Sequence, residues 1–456
     1  MKDKTMNKTF HIYCLLALFV AGCQPTATSY STPMLETQVS TNEVAEMQVT
    51  PTSQINSTFE PSPTGSSEIV LNKIPIANNS KIKLNNQCIN ITNVSPVSNS
   101  IIVLRSLKNT VPHEAPDIIL MDMSEAQPRE TIQKTGITPN FAVSPNGELI
   151  AYLASTITNG EVTQLDLVIA DGNFQTQNSI PWDDQWHLIL GWTADQKVII
   201  SSSRTETTSP SFVSYILIDP INGEQQAVQL SISDFIDESL YDAPYWENWY
   251  GILMDPTFKW AVYPKQSTVN AEMYTYALWN ISSNKPMFSL EKVFSSSWFF
   301  IHASPMPSWS IDGKQLAFVG QRQDEPSGEY ELFLVNVNGD IKRLTNLSSI
   351  GYVWPSFHSW SPDNNYIAFF ISPPQAGGLN DANVAMINAR TFEVIDLCLS
   401  VGLYDSVPIW SPDGKQFLIV DKHEKDNQRV LLVDIEEKVV FPIAENVEPI
   451  GWMTKP

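Results

Sequence analysis

The sequence predicts an all-β protein, a β-propeller of four-stranded antiparallel blades, with seven blades favoured over six or eight. Three observations indicate this fold. A phrase of the type WSPDG recurs along the chain, each copy precedes a short apolar strand, and the folded part contains no long amphipathic helical pattern. A self-similar period of about 50 residues is typical of propellers and other repeat arrays.

The recurring phrase sets the repeat unit. Aligned on the Ser of WSPDG, seven copies begin at residues 95, 144, 193, 255, 310, 361 and 411. The copies are rich in Pro, Asp, Asn and Gly, which favour tight turns. We therefore expect one blade per copy, because a single unit of this kind does not bury both of its faces alone.

The apolar runs around each turn predict the strands. They are short, rich in Val, Ile, Phe and Tyr, and bounded by turn residues, a pattern typical of sheet rather than helix. In the fifth unit the runs are QLAFVGQ (315–321), YELFLVNV (330–337) and IKRLTN (341–346). In the seventh unit they are 416–422, 429–435 and 439–445, and SVPIW (406–410) before the turn supplies the fourth strand.

The end of the chain predicts how the ring closes. VEPIGWM (447–453) repeats SVPIWS (406–411) in register, with Trp452 where Trp410 stands. We expect this segment to be the innermost strand of the first blade, whose other strands come from residues 101–133. The alternative is that NQCINITNV (86–94) supplies that strand, which would change the blade count to six or eight.

One unit in particular resembles a known family. PSWSIDGKQLAF (307–318), followed by an apolar strand, an NGD turn and IKRLTN, is similar to the repeat of TolB-like propellers. The resemblance covers about residues 95–453 and implies the propeller fold. The same repeat occurs in the Tol-system protein, in prolyl oligopeptidase propellers, in some polysaccharide lyases and in many lipoproteins. The Tol-system protein has an added α/β domain and no lipid anchor, so its role does not follow for this chain.

Residues 1–22 are predicted to be a lipoprotein signal peptide. A start that carries lysines is followed by the apolar run FHIYCLLALFVAG (10–22). Val20-Ala21-Gly22-Cys23 resembles the lipobox of bacterial lipoproteins, which implies export and acylation, for example with palmitate, at Cys23. That places the protein on the outer face of the bacterial cytoplasmic membrane or on the outer membrane. The alternative is a plain signal peptide with an incidental cysteine.

Residues 23–80 predict a disordered tether and residues 81–456 the propeller. The tether is rich in Ser, Thr, Pro and Gln, and too poor in apolar residues to offset the entropy of ordering. The chain carries a net charge of −22, which argues against a nucleic-acid partner. Outside the cytoplasm, Cys88 and Cys398 either form a disulfide or remain two buried thiols.

The candidate binding site lies on the long connections, which we expect on one rim of the ring. The longest is SISDFIDESLYDAPYWENWYG (231–251), and binding residues are commonly found on such loops. Its Tyr241, Asp242, Tyr245 and Trp246 combine aromatic stacking with carboxylate anchoring, which suits a cationic peptide or a sugar. The alternative for Trp246 is a packed position on the inner strand of the fourth blade.

Histidines form a second candidate site at the mouth of the central channel. His302 and His358, beside Trp354, precede the turns of the fifth and sixth units, and His187 has a similar place before the third. Three converging histidines would suit a metal ion. We favour the alternative, polar groups satisfied near blade junctions, and predict no metal and no cofactor.

These features favour a binding protein over an enzyme. A peptidase of the prolyl oligopeptidase type needs an α/β domain with a G-x-S-x-G motif, and the sequence contains neither. The leading hypothesis is a monomeric, non-catalytic propeller that binds an envelope protein, peptide or glycan. The alternative is a metal-dependent lyase or hydrolase acting on a polysaccharide or peptide at the propeller mouth.

Overall fold

Short β-strands account for nearly all of the regular structure. The computed structural model describes residues 85–107, 117–125, 128–133, 137–158, 161–182, 188–202, 212–231, 253–266, 273–283, 285–290, 293–296, 307–322, 330–350, 354–372, 382–402, 406–424 and 427–455. Within these ranges the chain forms 31 strands, and its helical structure is a single 3-10 turn at Leu347–Ile350. The predicted all-β class is confirmed.

The strands form seven blades, and each blade runs from an inner strand at the channel to an outer strand at the periphery. In that order, blade one consists of β31 (Val447–Thr454), β3 (Ser100–Ser106), β4 (Ile118–Asp122) and β5 (Arg129–Gln133). Blade two consists of β6 (Ile137–Val143), β7 (Leu149–Thr158), β8 (Glu161–Asp171) and β9 (Thr176–Trp182). Blade three consists of β10 (Leu188–Trp192), β11 (Val198–Ser202), β12 (Phe212–Ile218) and β13 (Gln225–Ser231). Blades four and five are β14 (Leu253–Met254), β15 (Trp260–Gln266), β16 (Met273–Asn280), β17 (Lys285–Ser289); and β19 (Ser308–Trp309), β20 (Gln315–Arg322), β21 (Glu331–Asn336), β22 (Ile341–Arg343). Blades six and seven are β23 (Trp354–Trp360), β24 (Tyr366–Ser372), β25 (Ala382–Asn388), β26 (Val394–Val401); and β27 (Ile409–Trp410), β28 (Gln416–Glu424), β29 (Asn427–Asp434), β30 (Val439–Glu445). Three further strands, β1 (Asn85–Asn86), β2 (Asn90–Ile91) and β18 (Val293–Ser296), are added to this scheme.

The ring closes through the last strand of the chain, as the sequence predicts. β31 pairs antiparallel with β3, with Trp452 opposite Ile102, and so becomes the innermost strand of blade one. Blade one therefore contains both ends of the repeat region. The prediction of seven blades is confirmed, with a closing strand taken from residues 447–454.

The alternative closing strand, residues 86–94, is wrong. β1 pairs in parallel with β26, and β2 pairs in parallel with β30. The segment therefore runs along the outer edges of blades six and seven instead of entering the centre. Its apolar residues are too few and too exposed for an inner strand, since Ile91 is 73% exposed.

Apolar side chains fill the junctions between blades. The buried residues form seven clusters, one at each junction. Between blades four and five, for example, the rings of Tyr276 and Phe318 meet edge to face with centroids 5.6 Å apart. Because both faces of a blade are covered, a middle strand such as β24 is apolar along nearly its whole length instead of alternating.

Blades four and five are joined by an additional strand. β18 pairs with the start of β16, Tyr274 opposite Ser295, and with the end of β20, Phe294 opposite Gln321. A continuous path of paired strands therefore runs through both blades. In the described part of the chain, the other blades are separate sheets.

Candidate functional site

The two rims of the ring are built from different connections. Within each blade the strands are antiparallel, so the turns after the first and third strands lie on one rim, which we call the turn rim. The connections after the second strand, and those to the next blade, lie on the opposite rim, the loop rim. In blade five the turn between β19 and β20 spans residues 310–314, whereas β20 and β21 are separated by residues 323–330.

Each WSPDG turn is held by its own side chains. Ser310 Oγ donates to Asp312 Oδ1 (2.8 Å) and accepts from the backbone N–H of Gln315 (3.0 Å). Asp312 Oδ1 also accepts from the Lys314 N–H (3.2 Å). Equivalent bonds join Ser361 to Asp363 and Ser411 to Asp413. These aspartates therefore act as turn residues that bond their own backbone and the preceding serine.

Neighbouring turns also contact one another across the blade junctions. Gly313 has a positive φ of 65°, and a Cβ there would clash with Asp255 Oδ2 of blade four. In blade six this position is Asn364 (φ 57°), whose side-chain oxygen accepts from the Ile311 N–H of blade five (2.8 Å). The turn rim therefore holds the blades together.

The tryptophan of the repeat binds the preceding blade. In five blades its indole N–H donates to a backbone carbonyl of the previous inner strand: Trp192 to Ala142 (3.0 Å), Trp309 to Leu253 (3.4 Å), Trp360 to Ser308 (3.0 Å), Trp410 to Ser359 (3.3 Å) and Trp452 to Ile409 (2.9 Å). Blades two and four have Val143 and Met254 at this position. The phrase is thus repeated because it builds the junctions.

A cavity of about 550 Å³ lies on the turn rim between blades seven and one. Two of the carboxylates that line it have partners on neighbouring residues, whereas the buried Ser98 hydroxyl has no partner among the described residues. Asp434 Oδ2 accepts from Gln416 Nε2 (2.7 Å), and Lys415 Nζ lies 2.9 Å from Glu436 Oε2. These carboxylates already have partners within the two turns that line the cavity.

On the loop rim, a buried ion pair that the sequence did not predict organises the connection from blade five to blade six. Glu331, at the start of β21, is fully buried, and its Oε1 lies 2.9 Å from Arg343 Nη2. The same carboxylate accepts from Thr345 Oγ1 (2.6 Å), Leu347 N (2.9 Å) and Ser348 N (3.1 Å). These bonds satisfy a charge that would otherwise be costly to bury.

This network also explains why IKRLTN forms a shorter strand than expected. The run predicts a strand over 341–346, but β22 ends at Arg343. Thr345 Oγ1 accepts from the Leu332 N–H (2.8 Å), and Arg343 Nε donates to the Thr345 carbonyl (2.7 Å). Side-chain bonds thus replace the strand ladder. The two residues of the repeat that form this network, Arg343 and Thr345, belong to the R-L-T segment, which is the sequence feature that could have indicated it.

The sequence-predicted loop site lies mostly outside the described residues. Tyr241, Asp242, Tyr245 and Trp246 belong to residues 232–252, and His302 and His187 are also outside. The structure fixes where that connection starts and ends. β13 ends at Ser231 and β14 begins at Leu253, both on the loop rim. Trp354 begins β23 on the same rim, and its side chain is outside the described part.

His358 lies inside a blade junction. It is 1% exposed on the inner strand β23, and its Nε2 donates to the Ala317 carbonyl of blade five (3.0 Å). Nδ1 has no hydrogen-bond partner among the described residues. Burial lowers the pKa of His358 to about 4, although the bond to Ala317 favours the charged form. The ring is therefore neutral near pH 7 and is not available to a ligand in the channel.

The described part of the chain contains neither a metal-binding cluster nor a membrane-spanning helix. No group of three or more His, Cys, Asp or Glu side chains within it is placed to hold a metal ion. Within the same residues, no helix has the length and apolar character needed to span a bilayer. Cys88 and Cys398 are bonded to each other, with Cα atoms 4.8 Å apart.

Comparison with known proteins identifies structural neighbours only. No family model and no curated sequence matches the chain. TolB from Acinetobacter baumannii is similar at 16% identity, with 75% of this chain and 79% of that chain covered and a TM-score of 0.39. Oligogalacturonate lyase from Vibrio parahaemolyticus is 10% identical, with 80% of this chain and 85% of that chain covered and a TM-score of 0.43. The β-propeller domain of the Trilobed protease from Pyrococcus furiosus is 9% identical, with 80% of this chain and 98% of that chain covered and a TM-score of 0.42. At these identities and TM-scores no activity or ligand is transferred to this chain.

Proposed function

We propose that this protein is an exported, lipid-anchored propeller that binds a protein, peptide or glycan of the cell envelope through its loop rim, without catalysis. The observation that carries the proposal is that the two rims differ: one consists of short turns bonded to each other, and the other of long connections. Turns on the turn rim are bonded internally and to their neighbours, as at Ile311 and Asn364. The loop rim carries the long and dissimilar connections, where binding residues are commonly placed on rigid scaffolds.

The connection between Ser231 and Leu253 is the proposed contact region. It is the longest link between two described strands, and both of its ends lie on the loop rim. Its sequence combines Tyr241, Tyr245 and Trp246 with Asp242. Aromatic rings supply contact area at low entropic cost, and a carboxylate adds polar anchoring for a cationic peptide or a sugar hydroxyl.

Export is supported by the disulfide. Cys88 and Cys398 are both exposed, and a disulfide on the surface persists in oxidising compartments outside the cytoplasm. The lipid anchor at Cys23 and the tether up to residue 80 rest on sequence alone. The proposed tether leads into the outer edge of blade six, where β1 pairs with β26.

The metal-dependent lyase or hydrolase is less well supported. It requires histidines that converge on the channel mouth. His358, one of the three histidines considered, is buried with Nε2 bonded to Ala317. Turning it towards the channel would break that bond and open the junction between blades five and six.

A crosslinking capture experiment tests the proposal. The full-length protein in its native membrane is the bait, beside a Tyr245→Ala/Trp246→Ala variant. Ile221→Ala is the matched control, because Ile221 is 87% exposed on the turn rim of blade three, the blade from which the proposed loop leaves. We expect one crosslinked partner or glycan to be retained by the wild type and the control and lost by the double variant.

Other outcomes weigh against the proposal in distinct ways. Equal capture by all three baits would move the contact away from residues 232–252. If no bait retains anything, and the purified protein holds a stoichiometric transition metal, the enzymatic alternative takes precedence.

A further inference from the structure

An N-terminal strap, residues 85–94, covers the outer edges of two blades. Asn85 lies opposite Ile395 of β26, and Asn90 lies opposite Val439 of β30, both in parallel. The strap therefore crosses from blade six to blade seven before the chain enters blade one. Among the described residues, only these two blades have a fifth strand at the outer edge.

The strap is held mainly by main-chain hydrogen bonds and by one side-chain bond, from Asn85 Nδ2 to Glu393 Oε1 (2.7 Å). Four of its backbone amides donate to the blades: Gln87 N to Asp396 O (2.9 Å), Ile89 N to Leu397 O (3.1 Å), Asn90 N to Lys438 O (3.0 Å) and Thr92 N to Val440 O (2.9 Å). Ile89 packs against the junction cluster, but Ile91 and Val94 are 73% and 67% exposed. A segment with so little buried apolar surface belongs to the low-stability end of a structure.

A β-bulge places Cys398 where the strap can reach it. The register between β25 and β26 shifts between Val384 and Ala385, and Cys398 has a positive φ of 54°. Its backbone N–H donates to Asp396 Oδ1 (2.8 Å), which holds the bulge. The strand is buried over 394–397, yet Cys398 is exposed. The bulge thus re-aims this side chain outward, towards Cys88.

We propose that the Cys88–Cys398 disulfide is a redox clasp, whose reduction by a dithiol releases the strap while the ring stays closed. One thiolate of the dithiol attacks a protein sulfur, forming a mixed disulfide and freeing the other cysteine as a thiol. The second thiol of the reductant then closes its own disulfide and releases the first cysteine. Two electrons pass to the protein, and the reductant is oxidised.

The separation of the strap from the ring closure makes this release local. The ring is closed by β31 in blade one, through seven Cα pairs with β3. None of those pairs involves residues 85–94. Reduction therefore leaves the seven blades in place and uncovers unpaired N–H and C=O groups along β26 and β30, which are otherwise satisfied by the strap.

Hydrogen exchange measured on the full-length protein tests the clasp. The oxidised protein is labelled for a few minutes with and without dithiothreitol, and reduction is verified by alkylation of both cysteines. We expect exchange at the amides of Gln87, Ile89, Asn90 and Thr92 to accelerate on the order of ten-fold or more on reduction. Amides in β29 stay protected over the same interval.

The double variant Cys88→Ser/Cys398→Ser provides the control. It exchanges rapidly in the strap without reductant and does not respond to dithiothreitol. Three results overturn the proposal: a wild-type protein purified with free thiols, strap amides that keep their protection after both cysteines have been alkylated, and loss of protection in β29 together with the strap. The last result would make the bond a staple of the whole ring.

Discussion

The last strand, β31, and the N-terminal strap are both added to the ring from outside the regular repeat, and they are held in different ways. β31 has eight residues, pairs antiparallel at the centre, and buries Val447, Trp452 and Met453 to 3%, 2% and 0% exposure. The strap makes two parallel pairings of two residues each at the periphery. β31 is therefore a strand that the closed ring requires. The strap is a segment that we propose is retained by its disulfide.

Deleting residues 447–456 is the strongest test of this contrast. Blade one would lose its inner strand and the junction cluster with blade seven would lose Trp452 and Val447. We expect a cost above about 5 kcal/mol, which is enough to remove cooperative unfolding. Circular dichroism during heating measures it. Internal deletion of residues 85–94 is the matched control and should leave a cooperative transition. A normal transition in the first variant would contradict the role of β31.

Trp452→Ala tests the same strand with one side chain. The indole is buried, and its N–H donates to the Ile409 carbonyl of blade seven (2.9 Å). We expect the free energy of unfolding in urea to fall by about 4 kcal/mol, from lost packing and a cavity. Trp452→Phe keeps most of the packing and should cost about 1 to 2 kcal/mol. Equal effects of the two changes would show that packing is not the main contribution.

A pH titration probes the ring at the junction of blades five and six. The pKa of His358 falls from its usual 6.5 to about 4 in the folded protein. Protonation therefore favours the unfolded chain, and stability that is complete above pH 6.5 declines as the pH drops towards 4. The decline should reach about 3 kcal/mol. His358→Gln retains a donor for the Ala317 carbonyl but does not titrate, so this decline should be missing from the pH dependence of its free energy of unfolding. Urea unfolding from about pH 7.5 to about pH 4 measures that dependence. An equal decline of the free energy of unfolding in the variant would show that His358 is not its source.

Loss of the disulfide should lower global stability less than Trp452→Ala or protonation of His358. It joins residues 310 apart in sequence, and such a bond acts mainly by restricting the unfolded chain. Reduction also frees the strap in the folded state, so we expect Cys88→Ser to lower the free energy of unfolding by about 2 kcal/mol. Urea unfolding measures this change. A loss as large as that of Trp452→Ala would place the strap with β31 as part of the essential ring.

The features that repeat could be predicted from the sequence, whereas several of those that occur once could not. The recurring turn phrase indicated the blade number, and the match between residues 447–453 and 406–411 indicated the closing strand. The strap was invisible because two-residue parallel strands leave no periodic pattern. The exposed position of Cys398 depends on a bulge, and the burial of His358 depends on the neighbouring blade. Neither property is encoded in local spacing.

The strand β18 has a mechanical consequence. Other neighbouring blades meet, among the described residues, through packed side chains and a few side-chain hydrogen bonds, which allow small sliding movements. Between blades four and five the same movement would have to break backbone pairs on both sides of β18. In the described part of the chain, blades four and five are therefore the pair that continuous strand pairing ties together. The connection that ends at Leu253 leads directly into blade four. A partner bound to that connection would therefore be attached to the two blades that β18 ties together.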